Sequence, residues 1–187
     1  MSSYVRSVLM VLPVSSLGLA LPPSLLAQDP HRHPAVTTEF RIPASIRAEH
    51  GEIHGELVAA TKIAGRTGEA ARNLARILDP HFKREEQIAL PPLGLLGPLS
   101  RGVFEPSMVR ILPMTDSLRI EMPKMLADHV QIRAAVVALE AAARAEKSGR
   151  ALMLAEKLKA HALTEEEVSY PAALLVGDMV RARGTRK

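Results

Sequence analysis

From Pro43 onward the chain repeats its apolar side chains every three or four residues, the period of one face of a helix, and breaks that rhythm where Gly and Pro gather. Ile46, His50, Ile53, Leu57 and Ala64 form the first such stripe, with Pro43 placed for a helix start and Gly65 for its stop. A second helix is predicted over 67–90, with Leu74, Ile77, Leu78, His81, Glu85 and Ile88 on one face and Pro91-Pro92 ending it. Residues 93–113 hold Gly94, Gly97, Pro98, Gly102, Pro106 and Pro113 among apolar residues, the mark of a packed crossover. A third helix, kinked at Pro123, is predicted over 115–147, with Met122, Met125, Leu126, His129, Ile132, Val136 and Leu139 inward. After Gly149 a fourth, over 150–181, turns Leu154, Leu158, His161, Glu165, Val168, Ala172 and Leu175 to one side, with Pro171 ending or bending it. Four amphipathic helices joined by mostly short connections predict an all-α fold, an antiparallel up-down four-helix bundle over 43–183.

Composition agrees with helices and narrows the chemistry. The chain has 187 residues, 47% of them apolar, enough for one sizeable core, while aromatics are 3% and Trp is absent. There is no Cys, which excludes disulfides, thiol catalysis and thiolate metal sites and leaves His and carboxylates as the only strong metal ligands. The net charge of +4 collects partly in a tail, Arg181, Arg183, Arg186 and Lys187, and no basic stripe is interleaved with aromatics, so nucleic acid is not an expected partner. Residues 1–27 read as an export signal, a short N-terminus with Arg6 followed by an almost uncharged run that ends at small Ala27; the mature protein is then periplasmic or secreted. Pro13, Pro22 and Pro23 make that run a poor membrane span, so contact with a membrane is expected only through an uncleaved signal. If Met10 is the true start, the protein is cytoplasmic. Residues 28–42, with His31 and His33, read as a linker, and 184–187 as a basic tail.

The anomaly lies in where the polar residues fall. His50, His81, His129 and His161 each occupy a position that their own helix assigns to the core, one to each helix. Two are followed four residues later by a carboxylate, His81 by Glu85 and His161 by Glu165, a spacing that stacks both side chains on one face a turn apart. Burying Glu85 and Glu165 in apolar stripes is costly without a compensating positive charge, and a cation is the economical one. Glu86, Glu166 and Glu167 turn away from these stripes and read as solvated. Imidazoles with a few carboxylates suit iron, zinc or copper rather than calcium or magnesium. Six ligands are too many for one zinc, whereas two octahedral ions bridged by the glutamates would use them all.

This arrangement resembles the hemerythrin-like HHE cation-binding domain. The residues that carry the resemblance are Glu49-His50, His81-x-x-x-Glu85 with Glu86, Asp128-His129, and His161-x-x-x-Glu165 with Glu166, together with the endings Glu86-Gln-Ile-Ala-Leu-Pro91 and Glu166-Glu-Val-Ser-Tyr-Pro171. It implies a hemerythrin-like bundle holding two non-haem irons, oxo- or hydroxo-bridged, with His50, His81, His129 and His161 as terminal ligands, Glu85 and Glu165 as bridges, and dioxygen or nitric oxide as the gas partner. Zinc or manganese are the substitutes such ligands admit. The third helix departs from the oxygen carriers of the family, since Met125 and Arg133 stand where an HxxxH pair would place a second histidine. His54 is the second choice for the first-helix ligand.

Tyr170, near the Glu165 turn, reads as a packed core residue, with support of the site as the other reading. No nucleophile–base pair or phosphate-cradling Gly loop stands out, so the expected role is binding, sensing or storage rather than turnover of an organic substrate. Two other functions compete. A ferritin-like iron oxidase would carry Glu-x-x-His motifs, and no His here has a Glu three residues before it. A metal-free helical bundle acting as an envelope or partner-binding protein would use the histidines only as hydrogen-bonding groups.

Overall fold

Pro43, with its fixed φ, opens helix α1, Ala44–Thr61, in a computed structural model that describes residues 40–185. Gly65, at φ +82°, then turns the chain into α2, Arg66–Ile88. The first amides of α2 lack partners within the helix, and the Glu146 carboxylate supplies them, accepting from the backbone N–H of Arg66 at 2.8 Å and of Thr67 at 2.9 Å. The crossover contains short 3-10 turns at Pro91–Leu95 and Pro106–Ile111 and one small helix, α3, Leu96–Ser100. Its Leu95, Leu99, Met108 and Ile111 are buried against Val176 and Val180 of the last helix. Helix α4, Leu112–Ala145, passes through Pro123 without a break. Helix α5, Gly149–Thr164, runs through a π turn at Glu165–Ser169 into α6, Tyr170–Gly184.

The result is all-helical, with four long helical segments and no strand among the described residues. Helix α2 packs against α1 and α4, α4 against α5 and α6, and α5 against α1, so the helices surround one interior. That interior is divided. Ile53, Leu57, Leu74, Leu78, Ile132, Val136, Leu139, Leu154 and Leu158 belong to one apolar cluster. Ile88, Leu90, Leu93, Leu118, Met125, Tyr170 and Ala173 belong to another. On every long segment a polar residue marks the boundary: His50 lies between Ile46 and Ile53, Glu85 between Phe82 and Ile88, His129 between Met125 and Ile132, and His161 with Glu165 between Leu158 and Tyr170.

Four positions expected inside are exposed. Ala64 falls beyond the end of α1, and Ala60 is the buried residue of its last turn. Leu126 sits beside the buried stripe of α4, which runs through Met125 and His129. Val168 and Leu175 are 59% and 67% exposed, and one event displaces both. After buried Glu165 the next buried residue is Tyr170, followed by Ala173, Val176 and Val180. The five-residue step is the π turn, closed by the Tyr170 N–H on the Glu165 carbonyl, and it rotates everything after it. Pro171 favours such a widened turn, because it has no N–H for the carbonyl four residues back and its ring crowds that carbonyl. The helix therefore neither ends nor breaks there.

No helix among the described residues is long and apolar enough to cross a membrane. The export signal at 1–27, all of the 28–42 linker before Phe40, and the last two residues of the basic tail lie outside the described residues.

The close approach of α4 and α6 depends on Gly177, where a Cβ would stand 2.4 Å from Thr115 Oγ1. Gly177→Ala is expected to lower the unfolding free energy by about 1–3 kcal/mol, the usual cost of overpacking. Gly55→Ala, at a helical site with nothing within 4 Å, is expected to raise it by about 0.5–1 kcal/mol. Urea denaturation of the two variants beside the parent checks both signs.

Candidate metal centre

Six polar side chains meet at the boundary between the two apolar clusters. Helix α1 delivers His50, α2 delivers His81 and Glu85 from successive turns, α4 delivers His129, the last turn of α5 delivers His161, and Glu165 opens the π turn. All six are buried, Glu85 and His129 completely. These are the six ligands expected from the sequence, brought together in one place. His54 is not among them: its side chain is 57% exposed and lies 3.9 Å from Asp79 on the surface. His31 and His33 lie outside the described residues.

The six divide into two overlapping groups, His50, His161, Glu85 and Glu165 in one and His81, His129, Glu85 and Glu165 in the other, each with donor atoms within 4.8 Å of one another. Both carboxylates serve both groups, one oxygen turned to each. Glu165 Oε1 lies 3.0 Å from His161 Nε2 and 3.4 Å from His50 Nε2, while its Oε2 lies 3.5 Å from His129 Nε2. Glu85 Oε1 lies 3.2 Å from His81 Nε2, and its Oε2 3.9 Å from His50 Nε2. A carboxylate with one oxygen to each of two neighbouring positions is the arrangement that bridges a pair of cations.

The donor set does not satisfy its own hydrogen bonding. Glu85 Oε2 and His161 Nε2 are buried with no hydrogen-bond partner, the nitrogen although it stands 3.0 Å from Glu165 Oε1, because the two are out of line. The Nε2 atoms of His81 and His129 face each other at 2.8 Å. Buried polar atoms without a partner are costly, and Glu85 Oε2 and His161 Nε2 leave that cost for a cation to offset. These residues fit, and the buried His/Glu groups can hold a metal ion.

Behind the donors stands a second ring of carboxylates, one at each Nδ1. Glu166 meets His129 Nδ1 at 2.8 Å and Glu49 meets His161 Nδ1 at 3.2 Å, both hydrogen bonds. Asp128 lies 3.7 Å from His81 Nδ1 and Glu86 3.8 Å from His50 Nδ1, within ion-pair range. Each of the four is the chain neighbour of one of the six central residues on an adjacent helix. Such partners fix ring orientation and make the imidazole more basic toward a metal. Glu86 is 51% exposed, as its helical angle predicts, whereas Glu166 is half-buried on His129 and not solvated as expected; its adjacency to Glu165 is the signal for that pairing.

The two groups differ in their surroundings. Phe82 stacks on His50 at 4.3 Å and meets His161 edge-on at 5.5 Å. Tyr170 stacks on His129 at 5.6 Å and donates its hydroxyl to Glu85 Oε1, with Oη 3.2 Å from His129 Nε2 and 3.4 Å from His81 Nε2. Tyr170 is thus both a core residue and part of the site. The free space beside the donors is a cavity of about 10 Å³ lined by Leu78, Phe82, Ile132 and Leu158 with His81, His129, His161 and Glu165.

The charges of the metal-free centre are arranged around Glu165. Burial favours its neutral form, but the close contacts with His129, His161 and His50 outweigh that and hold its carboxyl well below the usual range. Burial and the neighbouring Glu165 charge push Glu85 up. Burial opposes a charge on His161, yet its contact with Glu165 prevails and raises it to about 9, and His129 is raised in the same way by Glu165 and Glu166. Burial and the adjoining carboxylates push the Tyr170 phenol upward. Without metal, then, the centre carries imidazolium protons where a metal would carry its charge.

Compared with known proteins, the chain matches no family model, no curated protein and no solved structure.

A metal must displace those protons. Apparent affinity for zinc is expected to climb as pH rises toward about 9, the raised value of His161, by about tenfold per pH unit for each proton displaced, read by chelator competition. The metal-free protein should behave oppositely. The stabilisation from charged His161 is complete below its ordinary 6.5 and is lost as pH rises through about 9, so the thermal midpoint should fall across that window. A midpoint that is level from neutral pH to beyond 9 would remove the His161–Glu165 pair from the explanation.

Proposed function

We propose that this chain is a non-haem di-iron protein of the hemerythrin-like kind, an antiparallel up-down bundle that binds or senses dioxygen or nitric oxide, or handles iron. The observation that carries the reading is the sharing of Glu85 and Glu165 between two histidine pairs, each carboxylate turned one oxygen to each pair. A single-ion site would need no such division, and a purely structural cluster would pair its buried atoms, which Glu85 Oε2 and His161 Nε2 do not. Four neutral nitrogens with two carboxylates suit iron, with zinc or manganese as substitutes.

Bound iron would supply a centre able to change oxidation state and take up a diatomic gas. The chain's own work is to hold and insulate it. His50 and His161 would hold one ion and His81 and His129 the other, Glu85 and Glu165 would span both, and Glu49, Glu86, Asp128 and Glu166 would orient the rings. Leu78, Phe82, Ile132 and Leu158 keep bulk water away, which strengthens every electrostatic contact inside. If residues 1–27 direct export, this chemistry takes place outside the cytoplasm.

A ferritin-like iron oxidase fits less well, because histidines outnumber carboxylates in the donor set. A metal-free partner-binding bundle predicts indifference to metal and chelator.

The test is iron analysis of the protein reconstituted without oxygen, with variants chosen by the sharing of ligands. The parent should hold about two irons. Glu165→Ala should hold none, whereas His50→Ala and His129→Ala should each keep up to about one, since each removes a ligand from one position only. Removing iron should also lower the thermal midpoint, because binding to the folded state alone stabilises it. A parent with no iron, and a melting curve unmoved by iron or chelator, would end the reading.

A further inference from the structure

The two HxxxE segments are built alike beyond the motif itself. Glu85 is followed five residues on by Leu90, whose N–H bonds the Glu85 carbonyl at 2.9 Å, and then by Pro91. Glu165 is followed five residues on by Tyr170, whose N–H bonds the Glu165 carbonyl, and then by Pro171. Both wide turns swing the residue before the proline back into the interior, where each is 1% exposed. The surrounding contacts repeat too: His50 with Glu86 corresponds to His129 with Glu166, and His81 with Asp128 to His161 with Glu49. The backbone is thus organised as two matching halves, and the residue each half returns is a hydrocarbon in one and a phenol in the other.

Tyr170 Oη stands among the donors of a single position. It lies 3.2 Å from His129 Nε2 and 3.4 Å from His81 Nε2, and it touches Glu85 Oε1. Neighbouring ligands on one ion with bonds of about 2.1 Å are separated by about 3.0 Å in octahedral and about 3.4 Å in tetrahedral geometry. The phenol oxygen is spaced from both imidazole nitrogens as a further ligand would be. Nothing comparable faces His50 and His161, where Phe82 covers the rings.

We propose that Tyr170 is a fifth protein ligand of the His81–His129 position, so that the two metal positions are chemically unequal, one carrying a phenolate and the other not. This rests on the di-metal reading above. With ferric iron the O–H bond breaks, the oxygen bonds the ion, and the proton leaves to solvent; no electron is transferred in that step.

The chain makes the test clean, because it has two tyrosines, Tyr4 and Tyr170, and no Trp. The full chain, loaded with iron and oxidised, is examined by visible absorption and resonance Raman spectroscopy for tyrosinate-to-iron charge transfer and the tyrosinate ring modes. These are expected in the parent, kept in Tyr4→Phe and lost in Tyr170→Phe, which should still bind iron through the six other ligands. Bound iron without tyrosinate modes in the parent would overturn the proposal and leave the di-iron reading standing, as would modes that vanish in Tyr4→Phe. A parent with no iron would overturn both. Should Tyr170→Phe not fold, the parent and Tyr4→Phe spectra decide by themselves.

Discussion

Two carboxylates that share an apolar interior with four imidazoles govern everything else in this bundle. A buried carboxylate without compensation is among the most expensive features a small protein can carry, and Glu85 and Glu165 lie close enough to raise that cost mutually. The metal-free chain meets it with protons on histidine, which leaves Glu85 Oε2 without a partner. These six polar residues therefore do more than decorate a finished fold. They interrupt the hydrocarbon core on every long segment, and the two apolar clusters on either side make the fold tolerate that interruption.

The same layer explains the outer charges. Glu166 and Glu49 hydrogen-bond the Nδ1 atoms of His129 and His161 from adjacent helices, while Glu86 and Asp128 stand 3.8 and 3.7 Å from those of His50 and His81. Arg133 in turn contacts Glu166, and Lys124 contacts Asp128 at 2.5 Å. Charges alternate from the centre outward, and the outermost partners are exposed, where isolated ion pairs contribute little to stability. Their value lies in ring orientation, which a donor set requires and a hydrophobic core does not.

Much of this was legible in the sequence because helical period and residue type disagreed. His50, His81, Glu85, His129, His161 and Glu165 announced themselves by sitting on stripes that should have been apolar, and all six are buried at one place. Less could be read where the answer depended on a small rotation. A regular helix through Pro171 puts Val168 and Leu175 inside, and a single wide turn exposes both while bringing Tyr170 onto Glu85. Period counting assumes a constant turn angle, so it fails at the turn that completes the site. His54 and His50 lie on nearly adjacent turns of α1, and only the packing of α1 on α2 and α5 decides that one faces the donors and the other Asp79.

The cavity beside the donors has room for about one water molecule. On this side, anything larger than water reaches the donors only when Leu78, Phe82, Ile132 or Leu158 moves aside. Passage by this route is then paced by the breathing of a close-packed interior, on the timescale of side-chain and helix fluctuations rather than of diffusional encounter. Traffic through the bundle should slow steeply on cooling even when supply outside is unchanged, and the hydrocarbon wall becomes a gate as much as a support.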